Sequence, residues 1–208
     1  MKLIIASPSP YARKVRVALI EKGLAFEEVM DEPWSATSMA PDWNPLGSIP
    51  ILLLDDGRAL HDSRVIEAYL DTVAPPALIP EDPAARIAAL QAEALADGIA
   101  DAAGLLVLEE HRRPGMQSAE WQARQRGKLG RGTAELARLL GERERFVGEA
   151  LSIADIAAAS TLAYLDLRRP ELHWRTDHPG LAAFSDRLEA RESFRRTQPY
   201  AQTITPVG

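Results

Sequence analysis

The chain has 208 residues, a formal net charge of −6, 46% hydrophobic and 26% charged residues, and no Cys. That length supports one large domain or two small ones with a real core, and the acidic balance argues against a nucleic-acid surface as the main role. The missing Cys excludes a disulfide framework, a thiolate zinc site and a cysteine nucleophile. His61, His111, His173 and His178 are scattered without metal-ligand spacing, so no metal is expected. No apolar run reaches membrane-spanning length, and the apolar start at residues 1–6 is too short for a signal peptide and reads better as a strand, so a cytoplasmic location is expected. Only four of the 24 basic residues are Lys, and the Arg and Ala richness points to a GC-rich, bacterial genome.

Residues 2–6 form an apolar strand, and Ser7-Pro8-Ser9-Pro10 is a turn. Residues 11–21 carry a helical stripe of Tyr11, Val15, Ala18 and Leu19, closed by Gly23 just past the end. Residues 26–30 alternate as a second strand, and residues 32–44 are irregular with room for a short helix. Residues 49–54 are a third strand, Asp55-Asp56-Gly57-Arg58 is a hairpin turn, and residues 59–60 return. Ser63 reads as an N-cap, with a helix to residue 72 that turns Val65, Ile66, Tyr69 and Leu70 inward. The order βαβ then ββα is the thioredoxin-like arrangement, a mixed four-stranded sheet with helices on its faces. Two features in it converge. Pro50 opens a strand it cannot hydrogen-bond into, and a helix N-terminus follows at Ser63. A strand edge beside a helix end can hold a small peptide carrying a carboxylate.

A proline-rich joint follows, and everything beyond it is helical in pattern. The expected domains are residues 1–78 and 84–208, linked by 79–83. The helix from residue 84 to about 112 has two apolar stripes. Leu95, Ile99, Ala102 and Leu106 form one. Ile87, Leu90, Ala94, Leu105 and Leu108 form the other, interrupted by Asp97 and Asp101. A second long helix spans about 118–140. Ser152 and Asp155 make a capping box, with Leu151 and Ile156 as its staple, at the start of a nearly uncharged helix that should be the buried centre of this half.

Three motifs in this order resemble the glutathione transferase superfamily over residues 1 to about 199. Ser9-Pro10-Tyr11-Ala12-Arg13-Lys14-Val15-Arg16 is similar to the family's Ser- or Cys-Pro-[Phe/Tyr]-x-x-[Arg/Lys]-x-Arg motif. Ile49-Pro50 resembles its cis-proline turn, and Asp62-Ser63 its acidic/Ser pair. The segment 191–199 resembles the last helix of a small bacterial subgroup. The resemblance implies glutathione as co-substrate, a small hydrophobic electrophile, and a symmetric homodimer for which the two-stripe helix gives weak local support.

The resemblance makes Ser9 the catalytic residue. A Ser hydroxyl, free helix N–H groups and the positive helix end meet there, and together they can hold a cofactor thiol as thiolate. Local pattern alone makes Ser9 an N-cap. Ser7 also reaches the strand end, and Tyr11 is a weaker rival that should lie inside the helix. Ile49, before a cis Pro50, would pair its main chain with the cysteinyl unit. Ser63 would meet the glutamyl carboxylate and Asp62 its ammonium, where pattern alone says helix cap. Trp34 would flank the glycyl end, or simply anchor its loop. Asp97 and Asp101 could reach a neighbouring subunit's cofactor, but solvation of a cleft or a structural ion pair is the preferred reading. Leu105, Leu108 and Tyr164 are candidates for the electrophile wall. Activation and proximity would drive conjugation; isomerisation, peroxide or disulfide reduction, and a non-catalytic binding module are the alternatives.

Overall fold

The computed structural model describes residues 1–202; the reach of the expected helical domain to residue 208 lies outside the described residues. Strands β1 (Lys2–Ile5), β2 (Glu27–Met30), β3 (Ile51–Leu53) and β4 (Ala59–Leu60) form one sheet in the order β2-β1-β3-β4. β1 runs parallel to β2 and antiparallel to β3, which is antiparallel to β4. Parallel neighbours need a crossover, and helix α1 (Pro10–Glu21) supplies it. The antiparallel pair needs only the tight turn containing Gly57, whose φ of 88° suits glycine. Helix α2 (Ser63–Val73) packs beside α1. Leu3 and Ile5 of β1, Leu52 of β3, Val15 and Leu19 of α1, and Ile66 and Leu70 of α2 share one buried core.

Three local readings differ from the sequence expectation. The N-cap of α2 is Asp62, whose carboxylate accepts the Arg64 N–H at 3.1 Å, and Ser63 is the first helical residue. Asp caps as well as Ser, and here it precedes the serine by one position. Val65 is half exposed, so the buried stripe of α2 is narrower than expected. β3 begins at Ile51, because Pro50 offers no N–H to the ladder.

The helical domain comprises α3 (Pro83–Glu110), α4 (Ala119–Leu140), α5 (Ile153–Arg168), α6 (Trp174–Asp177), α7 (Pro179–Glu189) and α8 (Glu192–Arg195). α5 is its centre. Ile153, Ile156, Leu162 and Leu165 are fully buried, and the Asp155 carboxylate accepts the Ser152 N–H and the Phe146 N–H, each at 2.9 Å. α4 lies close enough to α3 that a Cβ on Gly132 would fall 2.5 Å from Ile99. The joint is pinned rather than loose. The Leu78 and Ile79 N–H groups donate to Asp71, and the Leu78 carbonyl accepts the Ile153 N–H at 2.9 Å.

The two stripes of α3 have different fates. Ile99, Ala102 and Leu106 are buried, whereas Ile87 and Leu90 remain on open surface at 64% and 37% exposure. Between them runs an acidic stripe at four-residue spacing: Glu93, Asp97 and Asp101. It faces α1. Lys14, fully buried on α1, has its Nζ 2.8 Å from Glu93, 3.0 Å from Asp97 and 3.5 Å from Glu67 of α2. Burial opposes the charge on Lys14, yet Glu67, Asp97 and Glu93 together hold its pKa above the ordinary value. Burial drives Glu67 well above the usual carboxylate range despite the pull of Lys14, which favours a proton on its carboxyl.

A pH dependence follows from that proton. The folded pKa of Glu67 lies above its unfolded value of about 4.3, so between the two the folded state binds more protons and stability falls as pH rises. Glu67→Gln keeps the neutral form at every pH. Thermal melts at pH 5 and pH 8 should show the variant gaining on wild type at the higher pH; an identical Tm difference at both would place the proton elsewhere.

Candidate functional site

A cleft of about 600 Å³ opens between the sheet domain and α3, lined at one end by Ser9, Trp34 and Ile49 and at the other by Leu105, Leu108 and Tyr164. Ser9 is the N-cap of α1, and its hydroxyl oxygen accepts the Ala12 N–H at 3.2 Å. Accepting through a lone pair leaves the hydroxyl hydrogen free to donate. The capping and donor roles therefore coexist in one side chain. Pro10 follows at the first helical position, where a missing N–H costs nothing.

Its two rivals are engaged elsewhere. Ser7 is buried and does not line the cleft. Its hydroxyl accepts the Tyr200 N–H at 3.1 Å, and its own N–H donates to Gln202 Oε1 at 3.2 Å. Tyr11 lines the cleft, but its hydroxyl donates to the Asp101 carboxylate. Burial, then that hydrogen bond, raises the phenol pKa far above neutral, so Tyr11 stays protonated. It lies inside the first turn of α1 and packs against the core, as expected, and it also lines the cleft.

The Ile49-Pro50 bond is cis. Buried Asn44 shapes the approach to it. Its Nδ2 donates to the Ser48 carbonyl at 2.8 Å, and its Oδ1 accepts the Leu46 N–H at 3.0 Å. Among the described residues the N–H and C=O of Ile49 have no hydrogen-bond partner, so they present an unpaired strand edge to the cleft. Ser63 is similar: neither its N–H nor its hydroxyl is bonded to a described residue. Asp62 and Ser63 do not line the 600 Å³ space itself. Asp62 is paired with Arg64 at 3.3 Å on the surface, with both side chains more than half exposed. Trp34 stands in the cleft wall at 36% exposure. Within this chain Asp97 forms an ion pair with Lys14, whereas Asp101 accepts the Tyr11 hydroxyl and forms no ion pair with a described residue.

Sequence reasoning passed over three residues of the site. Asn44 ends the stretch 32–44 that reads only as irregular. Gln202, whose Nε2 donates to the Asp31 carbonyl at 3.0 Å, lines the cleft from the far end of the chain. Arg168 lines it from the last turn of α5. The one available signal was local: the acidic residues breaking the α3 stripe implied a cation opposite, and Lys14 lies on the inward face of α1.

The family model for the glutathione S-transferase N-terminal domain matches residues 8–73, and that for the C-terminal domain matches residues 119–187. An Escherichia coli K12 protein named as an uncharacterised GST-like protein, YibF, is 37% identical over 96% of this chain and 98% of its own. The chain belongs to the glutathione S-transferase superfamily. Solved superfamily structures agree. A glutathione S-transferase from Methylobacterium radiotolerans, in complex with glutathione sulfonate, is 50% identical with a TM-score of 0.96 over 100% of this chain and 98% of that one. One from Methylobacillus flagellatus KT, with glutathione bound, is 42% identical with a TM-score of 0.92 over 96% and 99%. The thioredoxin-like sheet domain and helical domain described above are thus the GST fold. The free Ile49 main chain, the free Ser63 N–H and hydroxyl, and the spare Ser9 hydrogen fit a tripeptide thiol with a carboxylate at its glutamyl end. Among the described residues no cluster of His, Asp or Glu could hold a metal ion, and no helix is long and apolar enough to cross a membrane.

Asn44 offers a direct check on this geometry. Asn44→Ala strands the Ser48 carbonyl and the Leu46 N–H, and urea unfolding should show a loss of about 1–3 kcal/mol. An unchanged midpoint would mean that the turn before Ile49 holds its shape without the asparagine.

Proposed function

We propose that this protein is a glutathione transferase in which Ser9 activates the glutathione thiol for addition to, or substitution on, a small apolar electrophile. The observation that carries the reading is the Ser9 hydroxyl, which caps α1 and still has a hydrogen to donate into the cleft. Bound glutathione supplies the nucleophile, its sulfur. Ser9 donates to that sulfur, and the α1 N-terminus places positive potential beside it. An ordinary thiol has a pKa of about 8.5, and lowering it by one unit takes about 1.4 kcal/mol. A hydrogen bond to a charged group is worth about 1.5–3 kcal/mol and a helix end about 0.3–1 kcal/mol, so the two together suffice.

Ile49 holds the cysteinyl unit through its own N–H and C=O, as an added strand does. Ser63 receives the glutamyl carboxylate at the N-terminus of α2. Asp62 turns to the ammonium. Its exposed pair with Arg64 is worth about 0–1 kcal/mol, so exchanging partners costs little. Trp34 closes over the glycyl end. Leu105, Leu108 and Tyr164 form the electrophile wall. The working units are residues 1–78 and 84–208 joined by 79–83, and the site of action is the cytoplasm. Family membership supports transferase chemistry in general, and intact donors at Ser9 and Ser63 weigh against a purely structural role.

Calorimetry on wild type, Ser9→Ala and Ser63→Ala, with glutathione and S-methylglutathione, tests the reading. Ser63→Ala should weaken both ligands about tenfold, which is about 1.4 kcal/mol. Ser9→Ala should weaken glutathione and spare the S-methyl analogue, because only the former presents a thiolate. Absence of heat with either ligand on wild type would end the transferase reading and turn attention to the binding-module alternative.

The protein works as a homodimer in this reading. Ile87 and Leu90 leave one apolar stripe of α3 without cover in the single chain, and closed two-fold pairing buries such a stripe. Sedimentation should find a dimer that Ile87→Glu splits; a wild-type monomer at micromolar concentration would refute it.

A further inference from the structure

We infer that Arg168 recognises a carboxylate on the electrophile, so that the substrates of this protein are small apolar acids rather than neutral compounds. The inference rests on the transferase reading above and adds the substrate class.

Among the described residues the fully buried basic side chains are neutralised. Buried Arg13 is clamped by Glu189 at 2.7 and 2.8 Å. Buried Lys22 meets Asp71 at 2.7 Å, and Arg169, the very next residue on the chain, is clamped by Glu110 at 2.7 and 2.8 Å. Arg168 breaks the pattern. It is partly buried, yet among the described residues it has no carboxylate within 4.0 Å, and its Nε is buried without any hydrogen-bond partner. A buried Nε–H without an acceptor is costly, but Arg169 Nε shares that state; what sets Arg168 apart from its neighbour is that no carboxylate pairs its guanidinium.

Its position says what would pair it. Among the described residues Arg168 is the one cation lining the cleft, and it sits in the electrophile half with Ala100, Asp101, Gly104, Leu105, Leu108 and Tyr164. Its charge is felt at Tyr164, whose phenol pKa burial raises and Arg168 partly restores. Two acidic residues also line the cleft: Glu32 is exposed on the loop beside Trp34 at the other end, and Asp101, which accepts the Tyr11 hydroxyl, lies in the same half as Arg168 without pairing with it. Among the described residues the electrophile half is therefore a largely apolar wall with one carboxylate engaged by Tyr11 and one planar, five-donor cation that no carboxylate pairs. A guanidinium pairs with a carboxylate through two parallel hydrogen bonds, and a small acid with a hydrocarbon body matches both features. The alternative is that Arg168 merely complements the C-terminal dipole of α5, being in its last turn. Such a role needs no ligand and makes no distinction between an acid and its amide.

That distinction is the test, and it needs no turnover. Calorimetry would measure glutathione, S-(2-carboxyethyl)glutathione, S-(4-carboxybenzyl)glutathione and the two matching carboxamides on wild type, Arg168→Met and Arg168→Lys. The short and long arms sample two reaches across the cleft. Wild type should bind at least one acid tenfold or more tighter than its amide. Arg168→Met should abolish that preference, and Arg168→Lys should keep part of it. A helix-dipole or folding role would lower acid and amide together and leave their ratio intact, which would overturn the inference. So would equal wild-type affinities for acid and amide at both arm lengths. Failure of unmodified glutathione to bind wild type would instead strike the underlying transferase reading, and the two failures are told apart by that one titration.

Discussion

The cleft depends on one buried contact, the meeting of Lys14 with the acidic stripe of α3. Lys14 lies one turn along α1 from Tyr11, and Glu93, Asp97 and Asp101 recur every fourth residue on α3. The two helices are therefore joined by a ladder: Lys14 to Glu93 and Asp97, and Tyr11 to Asp101. A buried cation cannot slide along an apolar face, because every displaced position would leave it unpaired. The register between the sheet domain and the helical domain is fixed by this ladder. Ser9, two residues before Tyr11, is placed opposite the α3 wall as a consequence. Glu67 joins α2 to the same cluster, so both helices whose N-termini serve the site, α1 and α2, are tied to one charge.

Economy of backbone groups is the second theme. The first turn of any helix carries N–H groups that need partners. α1 uses the Ser9 oxygen to satisfy one of them and keeps the Ser9 hydrogen for the cleft. α2 assigns capping to Asp62 and leaves the Ser63 N–H and hydroxyl open. Moving the cap one residue upstream of the expected position is thus not a detail of helix boundaries. It leaves the first helical N–H and the Ser63 hydroxyl without a capping duty. At the cis turn the same logic runs through Pro50, which ends the ladder at Ile51 and leaves the main chain of Ile49 unspent.

The sheet, its order and the helix core were readable because each rests on local periodicity: alternating apolar runs, a capping box at Ser152 and Asp155, a glycine past the end of α1. The candidate residues Ser9, Ile49 and Ser63 stood out for a related reason, since they lie where strands and helices begin, and those boundaries are written in prolines and caps. Ile87 and Leu105 show where reading stopped. Both lie on one stripe of α3, yet Ile87 faces open surface and Leu105 faces the cleft. A helical stripe says which residues share a face; only the packing of other elements says what that face meets. Arg168 and Gln202 were missed on the same ground. Neither has a sequence pattern, because each enters the cleft from an element placed by long-range packing.

These points bear on how such a site could act. A thiol is activated by donors that are already in place, since donors that must reorganise spend their benefit on moving. The Ser9 hydroxyl is held by its own capping bond, the α1 axis is held by Lys14, and the helix end has no freedom apart from that axis. The opposite wall is held differently. Tyr164 lies over Gly104, where a Cβ would come within 3.8 Å of its hydroxyl, and the long side chain of Arg168 is restrained by no described carboxylate. The cleft thus combines a rigid half, made from helix ends and a strand edge, with a more adaptable half made from side chains of α3 and α5. The division matches the chemistry: one co-substrate is always the same tripeptide, whereas the electrophile is selected by shape and charge. Variation at Leu105 and Leu108 of α3 and in α5 can retune the second without disturbing the first, but variation at Asp101 cannot, because it lines the cleft and also holds the Tyr11 rung of the ladder.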